Sequence, residues 1–389
     1  MKKSFYYSML VVLLCALLSS CSGGGSGAGT FGLNLWTWVS GSNVIDQSGT
    51  YGTKGTAHAD NIPGARDGAV SWIDADGNLW LFGGYGRDST GAEGELNDLW
   101  KFDGTNWTWV SGSNIVDQPG VYGTKGTAHA DNIPGARYGS VSWTDADGNL
   151  WLFGGHGYDS AGTDDNLNDL WKFDGTNWTW VSGANVCSQQ GIYGTKGTAH
   201  ADNIPGARYG SVSWIGADGS LWLFGGHGYD SAGDWGYLND LWKFDGTNWT
   251  WVSGSNVCNQ QGVYGTQGAA HADNVPGARY IAVSWIDADG SLWLFGGSGR
   301  DSAGDWGNLN DLWKFDGTNW TWVSGADAIG QSGTYGTKGT AHADNIPGAR
   351  KGSVSWMAAD GNLWFFGGYG RDSAGSWGKL NDLWRYVPN

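Results

Sequence analysis

The side chains in this sequence able to do chemistry are few in type and recur at fixed intervals. Five of the seven histidines, His58, His129, His200, His271 and His342, sit in copies of one Ala-His-Ala-Asp-Asn segment. A His-x-Asp pair offers two metal ligands, but five separated copies do not gather into a four-ligand site, so each is read as bonding its own loop backbone. The other two histidines, His156 and His227, follow a Gly-Gly pair, at a position filled elsewhere by Tyr85, Ser298 and Tyr369. Arg66, Arg137, Arg208, Arg279 and Arg350 are followed by Asp67, Tyr138, Tyr209, Tyr280 and Lys351. Trp235, Trp306 and Trp377 occur once each in three further copies of one loop. Guanidinium groups with aromatic rings suit recognition: indole and phenol faces stack on sugar rings or grip protein side chains, and nearby Asp and Asn bind hydroxyls.

Catalytic chemistry has less support. Nothing pairs a serine or cysteine nucleophile with a histidine in a persuasive context, and both glutamates, Glu93 and Glu95, lie in one loop. No catalytic residue is assigned. A carbohydrate-active lyase or hydrolase built from convergent aspartates stays as the alternative to a binding module, with a purely structural surface protein third. No cofactor or metal is assigned either. Asp74–Asn78 has the look of a calcium loop but falls where a hairpin turn is needed. The acidic stretch Asp159–Asp169 is the better candidate for structural calcium, with a solvated polar loop the favoured reading.

Positioning these residues is the work of a repeat. Pro63, Pro134, Pro205, Pro276 and Pro347 recur every 71 residues, as do Trp100, Trp171, Trp242, Trp313 and Trp384, and no insertion breaks the register. In the first unit, strand signals fall on Ala69–Ile73, Leu79–Phe82, Leu99–Phe102 and Trp107–Val110, joined in pairs by short Asp-Gly turns. Four antiparallel strands make one blade of an all-β propeller, and five units predict five blades with almost no helix. Trp36 aligns with Trp107, so the chain enters the repeat at its fourth strand and stops after the third. Pairing Leu35–Val39 with Leu383–Val387 would therefore close the ring and cover both open edges.

These motifs resemble the Kelch repeat: Gly-Gly after the second strand, Asn97-Asp98-Leu99-Trp100-Lys101-Phe102, and Trp107 opening the fourth strand. Residues 32–389 are similar to the propeller domain of galactose-oxidase-like proteins. The resemblance implies a Kelch-type β-propeller, five-bladed by the repeat count, a fold that serves enzymes, scaffolds and binding modules alike. Two departures stand out. Phe102 replaces the usual tyrosine, restored once at Tyr386, and the unit exceeds the usual Kelch length of about 50 residues. The copper site of galactose-oxidase-like enzymes has no residue-by-residue counterpart here.

Strand parity then locates the site. The short turns lie on one face of the propeller; the two-to-three loops and the long crossovers lie on the other. The predicted ligand-binding set is the five arginines, the Asp67, Tyr138, Tyr209, Tyr280 and Lys351 positions, Tyr85, His156, His227 and Tyr369, and the three loop tryptophans. These are the places where a nearly symmetric frame becomes chemically asymmetric. The expected ligand is a glycan or a protein.

The N-terminus sets the compartment. Lys2 and Lys3, an apolar stretch from Met9 to Leu18 and small residues form a secretory signal over residues 1–20. Leu18-Ser19-Ser20-Cys21 resembles the lipobox of bacterial lipoproteins, which implies an acylated Cys21 and a membrane anchor, with Gly/Ser-rich residues 21–30 as a tether and 31–389 as the propeller. Ser22 after the cysteine points to the outer membrane of the cell envelope. Cys187 and Cys258 occupy equivalent places in adjacent repeats and are read as unpaired. The net charge of -16 excludes nucleic acid as a partner.

Overall fold

The computed structural model describes residues 37–358 and 361–388. Each repeat begins with an inner strand broken in two, Arg66–Asp67 and Val70–Ile73 in the first, both paired with Leu79–Arg87. The break falls at Gly68, whose φ of +61° turns the chain between the halves. Leu79–Arg87 then pairs with Glu93–Phe102, and that strand with Trp107–Ser111. Four-stranded antiparallel sheets thus recur along the chain, and no helix occurs among the described residues.

The second and third strands run well past their hydrophobic cores. The segment read from sequence as the loop Gly84–Leu96 is mostly strand, with Gly84 opposite Leu96 and Tyr85 opposite Glu95, and the true turn is confined to Asp88–Ala92. Glycines hid this extension, because they carry no side-chain alternation to read. Asp88 caps the turn, its carboxylate accepting from the backbone of Thr90, Ala92 and Val116.

Among the described residues, six sheets arise from the five repeats. In the fourth, the ladder is interrupted at Gly296-Gly297, leaving Arg279–Tyr280, Ser298–Arg300 and Trp306–Asn308 as one sheet and Val283–Ile286, Leu292–Phe295, Leu312–Phe315 and Trp320–Ser324 as another. The third strand of the fifth repeat is Trp377–Tyr386, and no counterpart of Trp107–Ser111 follows it among the described residues.

Residues 41–389 form one compact unit. Its core is four clusters, each between consecutive repeats. Trp72, Trp80 and Phe82 of the first meet Leu150, Leu152, Trp171, Phe173 and Trp178 of the second, and the pattern repeats to the fifth. The far face of the fifth repeat stays exposed at Trp356, Phe366 and Leu383. Residues 37–39 carry no strand, and Trp38 and Val39 are exposed. The signal, Cys21, the tether and the Leu35–Trp36 half of the expected closing strand lie outside the described residues.

Candidate functional site

The innermost residues of successive repeats are tied to one another. Gly139 N donates to Gly68 O at 3.0 Å, Gly210 N to Gly139 O at 3.0 Å, Ile281 N to Gly210 O at 2.8 Å and Gly352 N to Ile281 O at 3.2 Å. The residue before each of these is the variable one, so the ladder carries those side chains around in series. Tyr85 lies 6.2 Å from Tyr138, Tyr138 6.3 Å from Tyr209, and Tyr209 6.3 Å from Tyr280, centroid to centroid. Lys351 extends the run, its ammonium 5.4 Å from the Tyr280 ring. Asp67 is exposed and sits across the strand pair from Tyr85, as Lys351 does from Tyr369.

A second row lies one strand further out. His156 packs its ring 5.4 Å from Tyr138, and its Nδ1 is 3.2 Å from both Glu95 Oε1 and Asp164 Oδ1. The Glu95 hydrogen bond pushes the His156 pKa up against the cost of burial, while burial pushes the Glu95 carboxyl up. His227 stacks on Tyr237 at 4.2 Å, contacts Trp235 at 4.4 Å, and its Nδ1 is 3.3 Å from the Tyr209 hydroxyl. With no carboxylate beside it, burial pushes its pKa down to about 4. Tyr237 in turn stacks on Trp306 at 3.7 Å, and Arg300 covers Trp306. Trp377 lies parallel to Tyr369 beneath Arg371, 5.0 Å away. Trp235 and Trp377 keep 43% and 44% of their surface exposed, enough for a ligand to reach them.

The arginines do not share this surface. Arg137 is 1% exposed and grips Asp169 with both arms at 2.7 Å, while its other contacts are the carbonyls of Gly135 and Gly154. The same carboxylate accepts from the Tyr122 hydroxyl at 2.6 Å and the Trp171 indole at 2.7 Å. Arg66, Arg208, Arg279 and Arg350 repeat the knot with Asp98, Asp240, Asp311 and Asp382. These five side chains were expected to point at a ligand and instead hold each repeat together, because the strand aspartate 32 positions later neutralises the charge inside the sheet. Their partners are these strand aspartates rather than those of the crossovers.

The remaining polar motifs serve local structure. His58 Nδ1 accepts from Asp60 N at 3.2 Å, repeated in every copy, and Asp74 accepts from the backbone of Asp76 and Asn78 in a hairpin turn. Asp159 likewise closes a turn by accepting from Ala161 and Thr163. Cys187 and Cys258 are free thiols, and burial, with Asp230 nearby, pushes Cys258 up to about 11, away from thiolate chemistry.

Residues 46–201 match the family model described as the KLHDC2/KLHL20/DRC7 Kelch-repeats domain. Over those residues the chain is similar to Kelch repeats. No curated protein sequence matches the chain. Among solved structures it superposes on that of YjhT with a TM-score of 0.50, at 17% identity over 84% of this chain and 83% of that one. It also aligns with a protein of unknown function from Dyadobacter fermentans DSM 18053 (TM-score 0.40, 11% identity, 87% and 86% covered). A fungal alcohol oxidase of the AA5 family in complex with copper aligns at a TM-score of 0.38 and 14% identity, covering 78% of this chain and 58% of the oxidase. At that identity the superposition on YjhT speaks for the fold alone.

The Gly-Gly pair explains how the row behind the tyrosines is placed. Gly154 and Gly155 both hold positive φ, and a Cβ on Gly154 would stand 2.8 Å from the carbonyl of Arg208 in the next repeat. The ladder shifts register there, which re-aims His156. Glu95, Asp164 and Tyr237 belong to the same surface and were missed as site residues. A signal existed: Glu95, Asn166, Tyr237, Asn308 and Lys379 occupy one position of the Kelch unit and differ in otherwise similar copies. Chemically, the surface offers stacking faces from the tyrosines and tryptophans, and at Glu95 and His156 a proton-sharing pair with further carboxylate acceptors.

Proposed function

We propose that this chain is an exported, lipid-anchored Kelch propeller of five blades that binds a protein segment at its tyrosine-lined mouth. The observation that carries the reading is the run Tyr85–Tyr138–Tyr209–Tyr280, one ring per repeat, which ends on Lys351. Four similar rings in series, with different groups at either end, fit one extended asymmetric ligand better than four independent sites. The Kelch match supports a protein as that ligand. Rings of this size are also the residues that dominate binding energy at protein interfaces.

A glycan is the second reading, favoured by the exposed indole faces of Trp235 and Trp377. The five-blade count rests on five repeats of one length, with the extra sheet explained by the interruption at Gly296-Gly297. Closure rests on sequence register: Trp36-Thr37-Trp38-Val39-Ser40 repeats the fourth strand Trp107–Ser111, which has no counterpart in the fifth repeat among the described residues.

An unbiased glycan and protein-display screen identifies the ligand, and replacing Tyr138, Tyr209 and Tyr280 together with alanine tests the site. A control variant replaces the exposed short-turn residues Thr105, Thr176 and Thr247. Affinity is expected to fall in the tyrosine variant alone, with both proteins folded by circular dichroism. Retained binding there, with loss in the control, would place recognition on the opposite face.

A further inference from the structure

We propose that Glu95, His156 and Asp164 form a binding site for one divalent transition-metal ion of the zinc class. Their three ligand atoms lie within 4.8 Å of one another, and both carboxylates stand 3.2 Å from His156 Nδ1. A tetrahedral ion held at about 2.0–2.1 Å from each ligand sets neighbouring ligands roughly 3.4 Å apart, so small side-chain movements complete the geometry. One imidazole nitrogen carries a single proton at most and cannot satisfy two carboxylates at once. The site is short of positive charge.

Two observations point to a cation there. Glu95 is 5% exposed, and its Oε2 has no hydrogen-bond partner among the described residues, which is costly for a buried carboxylate oxygen. No lysine or arginine among the described residues pairs with Glu95 or Asp164, and Asp117 and Asp165 stand close enough to add their negative charge. A bound dication would supply both the partner and the charge.

Among the described residues the arrangement exists at only one junction between repeats. At the matching position between the second and third repeats, Asn166 donates to the His227 carbonyl at 3.1 Å, and between the fourth and fifth, Asn308 donates to the Tyr369 carbonyl at 3.1 Å. Between the third and fourth, Tyr237 stacks on Trp306. Glutamate cannot donate as asparagine does, so Glu95 turns to the ring of His156 instead. Tryptophans replace Asp164 at three of the corresponding positions, Trp235, Trp306 and Trp377. The imidazole ligand separates this site from a calcium loop, which is built of oxygens.

Zinc titrated into the folded protein, with a chromophoric chelator as competitor, tests the proposal without reference to the unknown ligand. One equivalent should bind tightly. His156→Gln and Asp164→Asn should each weaken it by at least about tenfold, the loss caused even by removing a metal's outer-shell partners. Asp164 is 43% exposed at its side chain, so Asp164→Asn leaves the fold intact. His271→Gln, in one of the exposed His-x-Asp pairs, should leave the tight zinc site unchanged. Unchanged affinity in the first two variants, or only weak multi-site binding attributable to the exposed His-x-Asp pairs, overturns the proposal. Displacement of the zinc by about a tenfold excess of calcium overturns the choice of metal class.

Discussion

His156 and His227 stand at the same register position of adjacent repeats, the cross-strand partners of Tyr138 and Tyr209, yet their pKa values are displaced in opposite directions. His156 faces two carboxylates and is pushed up; His227 is sandwiched among Tyr209, Trp235 and Tyr237 and is pushed down. Their backbones are equivalent. The difference comes from what the neighbouring strand presents, Glu95 and Asp164 in one case and Asn166 and Trp235 in the other.

The pH dependence of stability follows with a definite sign. His227 holds its proton less tightly in the fold, at about 4, than at its ordinary value of 6.5. Acid therefore protonates the unfolded chain first, and stability falls as pH drops from 6.5 towards 4. His227→Phe keeps the stack and should flatten that fall, read from urea midpoints across the range. His156 has the opposite sign: its contribution is present below 6.5 and is lost as pH rises through its raised value. A His227→Phe profile parallel to that of the parent protein would sink the assignment.

Breaking one arginine knot should be expensive. Removing the Arg208 side chain leaves the buried Asp240 without its ion-pair partner, a change that costs about 3–5 kcal/mol. Arg208→Ala should show this loss by chemical denaturation, and Arg208→Lys should recover little of it, because an ammonium cannot make the two-armed contact. A loss below about 1 kcal/mol would show that the knot is not what holds the repeat.

Ile281 offers a stabilising substitution. Gly68, Gly139, Gly210 and Gly352 hold the matching positions with φ between +61° and +67°, whereas Ile281 adopts φ +52° with a β-branched side chain. Its side chain is 37% exposed, so little packing offsets the strain. Ile281→Gly should raise stability by about 1 kcal/mol, visible as a higher melting temperature.

Closure is tested at the edge it would cover. Deleting residues 31–40 should speed amide exchange at Leu383–Val387 far more than shortening the tether does. Equal protection of that segment in both proteins would rule out the terminal pairing.

The anchor is tested by Cys21→Ser, which should abolish metabolic lipid labelling and release the protein from the membrane fraction. Unchanged labelling would dispose of the lipoprotein assignment.

Much of the frame was legible in the residues themselves. The 71-residue period, the alternating tryptophans and the Asp-Gly turns locate the strand cores and their order, because alternation and turn chemistry are local properties that need only a few neighbours. The Asp67, Tyr138, Tyr209, Tyr280 and Lys351 series was legible too, since a repeated sequence exposes where its own copies disagree. Tertiary structure decided the rest. Arg208 faces inward because Asp240, 32 positions away, reaches it inside the sheet, and no local pattern pairs the two. Glu95 meets His156 across a separation of 61 residues, one strand of each repeat contributing. Such contacts depend on the lateral packing of repeats, and burial then sets whether a histidine there gains or loses its proton.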